Sequence, residues 1–108
     1  MTGVTMGDAN GVGPEIVLKA WRDGLVSGPF VLYGELAALE HYNRVLGYGV
    51  PLRCVASPRE SAPEALNVID LGLLQAGEVC PGELSAATGR AAREAVVRAA
   101  RAALAGEI

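Results

Sequence analysis

The chain has 108 residues, of which 51% are hydrophobic, 19% charged and 5% aromatic, which allows one modest domain and excludes a multidomain protein. Nine basic against twelve acidic residues give a net charge of -3, and no run of Lys and Arg is longer than a pair, so the footprint of a nucleic-acid binder is absent. No stretch approaches the ~18 apolar residues that crossing a bilayer requires, and the opening Met-Thr-Gly-Val-Thr-Met-Gly-Asp has neither the basic nor the apolar part of an export signal, so a cytoplasmic protein is expected.

Thr2 to Met6 is a short run with β-branched residues and predicts a first strand, which enters the glycine loop Gly7-Asp8-Ala9-Asn10-Gly11-Val12-Gly13. Pro14 suits the first position of a helix, since its φ is already helical and its missing N–H would have no partner there. Glu15 complements the helix dipole, and Ile16, Val17, Ala20 and Trp21 recur at helical spacing until Asp23-Gly24. Pro29 to Tyr33 is nearly continuous in apolar residues, as strands covered on both faces are, and Gly34 ends it. A helix from Glu35 to Leu46 follows, with Leu36, Leu39, Tyr42, Val45 and Leu46 on one stripe and Gly47 as its cap. Val50 to Ala56 predicts a third strand, in which Pro51 points to an edge position or to the strand's first residues. Ser57 to Glu64 reads as loop, Asn67 to Leu71 as a fourth strand and Gly72 to Gly82 again as loop.

From about Ser85 an alanine-rich segment predicts the longest helix, with Ala92, Val96, Ala99 and Ala103 on one face and Arg90, Arg93, Arg98 and Arg101 on others. It ends at Gly106, and Glu107-Ile108 reads as the approach to a further strand, so the sequence is expected to be a piece of a longer protein. The alternation of strand and helix argues an α/β fold, a parallel-sheet layer with flanking helices and right-handed crossovers.

Only the glycine loop carries chemistry above background. A glycine loop between a strand and a helix start allows close backbone approach and presents free N–H groups. It lacks the Gly-Lys-Ser/Thr ending of a nucleotide-triphosphatase loop, and its glycines at 7, 11 and 13 depart from the dinucleotide GxGxxG spacing. The plain alternative is a tight turn between the first strand and the first helix.

The string Thr5-Met6-Gly7-Asp8-Ala9-Asn10-Gly11-Val12-Gly13-Pro14-Glu15-Ile16 resembles the opening motif of the 4-hydroxythreonine-4-phosphate dehydrogenase family. Gly82-Glu83-Leu84-Ser85, then Gly89-Arg90-Ala91-Ala92 and the helix to Ile108, is similar to that family's later turn and helix. Ala9-Asn10 departs from the Pro-Ala of many members, and Asn10 can keep the turn because it tolerates left-handed geometry.

The resemblance covers this whole chain but only the first part of the family's length. It implies part of a two-domain fold like that of the isocitrate and isopropylmalate dehydrogenases, in a cytoplasmic homodimer. It implies NAD- or NADP-dependent oxidation, with decarboxylation, of a small phosphorylated hydroxy-acid substrate on the route to pyridoxal phosphate (pyridoxine biosynthesis). A divalent metal ion would be held by histidines outside this chain, as a Lewis acid. Asp8, Asn10, Gly11, Gly13 and Glu15 are then the candidates for cofactor-binding positions, no catalytic or metal-ligating residue is expected within the chain, and the 108 residues alone are expected to be inactive.

Three rival readings remain. The first keeps the chemistry and takes D-threonate or D-erythronate 4-phosphate. The second is the isocitrate/isopropylmalate class, against which the two extra residues between Asp8 and Gly11 speak. In the third the chain is a truncated, non-catalytic binding or dimerisation module. Elsewhere, His41 has no second ligand near it, Cys54 reads as a small core residue and Cys80 as a loop residue, Trp21 and Tyr42 as core anchors, and the arginines of the last helix as a solvated face.

Overall fold

The computed structural model describes residues 1–26, 28–83 and 85–108, so Leu84 of the Gly82–Ser85 turn lies outside the described residues. Phe30–Gly34 (β2) is apolar throughout because both its faces are covered: Leu32 packs into one core cluster while Val31 and Tyr33 pack into another. Thr2–Thr5 (β1) runs beside it, Leu66–Asp70 (β4) lies on its other side, and Leu52–Cys54 (β3) closes the far edge. The four strands are parallel in the order β1-β2-β4-β3, with Thr2 opposite Phe30, Leu32 opposite Val68 and Leu52 opposite Leu66.

Gly13–Arg22 (α1) and Leu36–Leu46 (α2) cover one face, where Val17, Leu18, Leu39 and Tyr42 meet Leu32, Leu66 and Val68. Ala86–Leu104 (α3) covers the other, where Ala95 and Ala102 pack with Val31, Tyr33 and Ile69. The expected layer of parallel strands with flanking helices is thus observed. Between β3 and β4 the only helical piece is a 3₁₀ turn, Pro58–Glu60, and a second turn, Ala76–Glu78, interrupts the segment read as loop after β4. The tight β3–β4 passage is held by buried Asn67, whose side chain accepts from the Ala62 N–H and donates to the carbonyls of Ala62 and Ala65.

The structure corrects several helix stripes. Ile16, expected in the core, is 57% exposed, and Val45 at 65% is equally outside; α1 buries Pro14, Val17 and Leu18, and α2 buries Ala38, Leu39 and Tyr42. On α3 the buried face is Thr88, Ala91, Ala95 and Ala102 rather than Ala92, Val96 and Ala103. Alanines on all sides offer no hydrophobic contrast, and close approach to the sheet selects the stripe with the smallest side chains, leaving Val96 in solvent. Cys54 is exposed instead of buried, since β3 is a short edge strand with one neighbour. Pro51 stands just before β3, where its missing N–H costs no ladder bond while its carbonyl accepts from the Leu66 N–H (2.8 Å).

These burial differences can be measured. Leu18→Ala should cost about 2–5 kcal/mol in chemical denaturation, as a fully buried leucine does. Ile16→Ala, on the same helix, should stay within about 0.5 kcal/mol of the parent protein; equal losses would mean that α1 is rotated from the orientation described.

Candidate functional site

At the carboxyl end of β1 the chain must turn at once into α1, and the glycines make this possible at specific points. Gly7 has φ +78°, in the left-handed region. A Cβ on Gly13 would sit 1.9 Å from the Met6 carbonyl oxygen, so no larger residue fits while the helix start packs on the end of the strand. The intervening turn is closed by the Gly11 N–H donating to the Asp8 carbonyl (3.0 Å) and by the Asn10 N–H donating to Asp8 Oδ1 (2.8 Å), an Asx turn.

Asn10 is only 5% exposed, and its groups bind a stretch of chain some seventy residues away. Its Oδ1 accepts from the Cys80 N–H (2.8 Å), its Nδ2 donates to the Glu83 carbonyl (3.0 Å), and its own carbonyl accepts from the Gly82 N–H (2.8 Å). The opening motif and the later Gly82–Ser85 turn therefore touch. From below, the Tyr42 hydroxyl donates to the Ala9 carbonyl (3.0 Å). Burial raises the Tyr42 hydroxyl above its ordinary pKa, and the charges of Asp8 and then Glu15 raise it further, so both carboxylates act on the underside of the loop.

The five residues singled out in the sequence all fall on this turn, in different situations. Asp8 and Glu15 are partly exposed carboxylates, Gly11 is exposed backbone, and Gly13 is the close-packed helix start. The Asn10 amide is already occupied by the chain's own backbone. No side chain caps α1, so the first N–H groups of the helix are left for an outside acceptor. Val12 (68%) and Ile16 (57%) add exposed apolar surface beside it.

Two acids at neighbouring strand ends carry more than the sequence indicated. Glu35, directly after β2, is 1% exposed; its Oε1 accepts from the N–H groups of Leu73 (2.8 Å) and Leu74 (2.6 Å), while its buried Oε2 has no partner among the described residues. Burial pushes this carboxyl above the ordinary range; the two N–H bonds oppose the shift, and the charges of Asp70 and Glu78 add to it. Asp70, at the end of β4, is exposed, and its Oδ1 accepts from the N–H groups of Leu36 and Gly72. The available signal in the sequence was an acid immediately after a wholly apolar strand with no basic residue beside it.

Among the described residues no three His, Cys, Asp or Glu side chains gather closely enough to hold a metal ion. Nor, among them, is any helix long and apolar enough to cross a membrane.

No family model matches the chain. It is 37% identical over 102 residues to the D-threonate 4-phosphate dehydrogenase of Cupriavidus necator, a match covering 90% of this chain and 30% of that protein. To the 4-hydroxythreonine-4-phosphate dehydrogenase of Prosthecochloris aestuarii it is 34% identical over 115 residues, covering 97% of this chain and 33% of the relative. The crystal structure of a 4-hydroxythreonine-4-phosphate dehydrogenase from Burkholderia phymatum superposes on 99% of this chain and 33% of its own, with a TM-score of 0.91 at 32% identity. The chain thus spans about a third of the length of the relatives it matches.

Asn10→Ala would leave the Cys80 N–H and the Glu83 carbonyl, both in part-buried hydrogen bonds, without their partner at once. It should destabilise the protein by about 1–3 kcal/mol for each, whereas Asp8→Ala, which removes one partly exposed acceptor, should cost about 1 kcal/mol. Urea denaturation of the two variants decides the matter: an Asn10→Ala loss no larger than that of Asp8→Ala would show that the amide does not hold the loop.

Proposed function

We infer that this chain, which belongs to the 4-hydroxythreonine-4-phosphate dehydrogenase family over the third of the relatives' length that it spans, is the amino-terminal part of an enzyme oxidising a phosphorylated hydroxy acid with NAD or NADP. The observation that carries the reading is the glycine loop at the strand end, joined through Asn10 to the second segment that resembles the family. In α/β sheets the carboxyl ends of the strands are where ligands bind.

The chemistry of the loop narrows its role. Asp8 and Glu15 make it a poor seat for a phosphate, which they would repel, and a good one for hydroxyl groups, which donate to carboxylates. A ribose of the cofactor satisfies that preference. The uncapped start of α1 offers N–H groups to an acceptor, Val12 and Ile16 offer a flat apolar neighbour, and Gly11 and Gly13 allow close approach. Asn10 acts behind them by holding the shape of the loop. When bound, the cofactor supplies the hydride acceptor; these residues orient it and exclude water on one side. Neither the proton acceptor nor the metal ligands are assigned to this chain: the divalent metal ion belongs with histidines of the remaining length, in a two-domain, cytoplasmic homodimer.

Both substrates named among the relatives, 4-hydroxythreonine 4-phosphate and D-threonate 4-phosphate, present the same hydroxyl and phosphate chemistry. The identities of 37% and 34% favour neither decisively, so D-threonate 4-phosphate stands as the second reading.

The protein carrying this chain at full length should form NADH or NADPH from one of these two substrates. Asp8→Ala should raise KM for the cofactor about tenfold, or ~1.4 kcal/mol, with a smaller effect on KM for the hydroxy acid. The 108 residues alone should form none. Turnover by the short chain would refute the division of labour proposed, and a full-length protein inert towards both substrates would favour the non-catalytic binding module.

A further inference from the structure

Glu35 is a buried acid that the reading above does not use, and the segment it holds leads directly to the glycine loop. Residues 71–79 cross the end of the sheet as a strap in which seven of the nine N–H groups have a partner. The Leu71 N–H donates to the Gly34 carbonyl (3.0 Å), the Gly72 N–H to Asp70 Oδ1 (3.2 Å), and those of Leu73 and Leu74 to Glu35 Oε1. The strap then stiffens into the 3₁₀ turn: the Gln75 N–H donates to Glu78 Oε1 (3.0 Å) and the Glu78 N–H returns to the Gln75 carbonyl (2.9 Å). Leu74 and Val79, each 6% exposed, plug it into the core cluster that also contains Ala9 and Tyr42. At Cys80 and Gly82 the strap delivers its N–H groups to Asn10.

We propose that Glu35 is a positioning residue for the glycine loop: its carboxyl latches the strap at Leu73 and Leu74, and the stiffened strap carries that position to Asn10. The name positioning residue rests on the reading of the loop as the cofactor's seat; the mechanical relay does not. Three features single out Glu35 rather than general packing. One oxygen takes two N–H groups at 2.8 and 2.6 Å, the side chain is 1% exposed, and Oε2 is buried with no partner among the described residues. A residue kept only for packing would not leave a carboxylate oxygen so.

The latch should respond to protons. The charged groups acting on Glu35 are Asp70 on β4 and Glu78 on the strap, both acidic, and among the described residues no cation forms a salt bridge with it. Glu40, His41 and Arg44 on α2 line a cavity of about 230 Å³ together with Asp70, Leu36 and Ala76. Burial raises the closed-state pKa, and opening the strap returns the carboxyl to its ordinary value. A group raised in this way stabilises the closed form below its ordinary pKa, and that contribution is lost as the pH climbs through the raised one. The strap is therefore firmest in acid and loosens as Glu35 ionises.

Amide hydrogen exchange on the full-length protein, expressed as protection factors at several pH values, tests this. In the parent protein, protection at Leu73, Leu74, Cys80 and Gly82 should fall together as pH rises above the ordinary carboxylate range. Glu35→Ala should lower protection at all four amides by about tenfold or more, although Cys80 and Gly82 do not touch residue 35. Glu35→Gln keeps an acceptor for the two N–H groups and removes the titration, so it should restore protection at all four and make it flat with pH. Loss confined to Leu73 and Leu74 in Glu35→Ala would reduce Glu35 to a local clamp and overturn the relay. A Glu35→Gln profile that follows the parent's would overturn the proton response, and, even if Glu35→Ala does not fold, parent protection that falls with pH at Leu73 and Leu74 but not at Cys80 and Gly82 would overturn the relay. These readouts require neither cofactor nor turnover, so an inert enzyme would leave the latch standing and a failed latch would leave the dehydrogenase reading intact.

Discussion

One buried amide sets the shape of the carboxyl end of the sheet. Asn10 must both accept and donate, because its partners are a backbone N–H at Cys80 and a carbonyl at Glu83. Aspartate would lack the donor, and leucine of similar volume would leave both backbone groups without the partner that Asn10, itself 5% exposed, supplies. Because the main chain of Asn10 also closes the Asx turn with Asp8, the side chain that ties down the distant segment is fixed by the loop itself. The loop and the strap therefore hold each other in place, and the sheet brings them together: β1 ends at the loop, β4 ends at the start of the strap, and β2 lies between.

Parts of this arrangement were legible from the sequence because they depend on local or periodic signals. The unbroken apolar run around Val31-Leu32-Tyr33 announces a strand covered on both faces, and such a strand belongs to a parallel sheet with helices on each side. Gly13 stands out where a strand must turn into a helix, and the 1.9 Å approach to Met6 supplies the reason. Pro51 points to an edge strand, which β3 is. The misplaced stripes have one cause. Where hydrophobicity contrasts little around a helix, as along the alanines of α3, its rotation is chosen by how closely the backbone can approach the sheet, a tertiary quantity. Val96, Ile16 and Val45 were counted as core for being apolar, yet an exposed aliphatic side chain is ordinary in a folded protein.

The site was legible in place and less so in role. Its five candidate positions cluster on one turn, as their adjacency required, but nothing local distinguishes an asparagine that faces a ligand from one whose amide is used by the backbone seventy residues on. The same holds for Glu35, which reads as an ordinary first residue of a helix until the strap is seen to lie across it.

Glu35 and Asp70 show how burial separates two otherwise similar acids. Each stands at the carboxyl end of a strand, Asp70 as the last residue of β4 and Glu35 directly after β2, and each accepts two backbone N–H groups on a single oxygen. Asp70 is exposed, so water can serve its second oxygen, and it acts as a cap for the starts of α2 and of the strap. Glu35 is sealed, so its second oxygen has no such recourse, and the negative charge of Asp70 bears on it as well. Exposed Asp70 therefore helps to keep its buried neighbour responsive to protons. Replacing Glu35 by an apolar residue would remove the cost of the buried acid but leave the N–H groups of Leu73 and Leu74 without an acceptor, loosening the strap that Asn10 depends on. A titratable group at this position is thus compatible with the fold because the backbone requires an acceptor there.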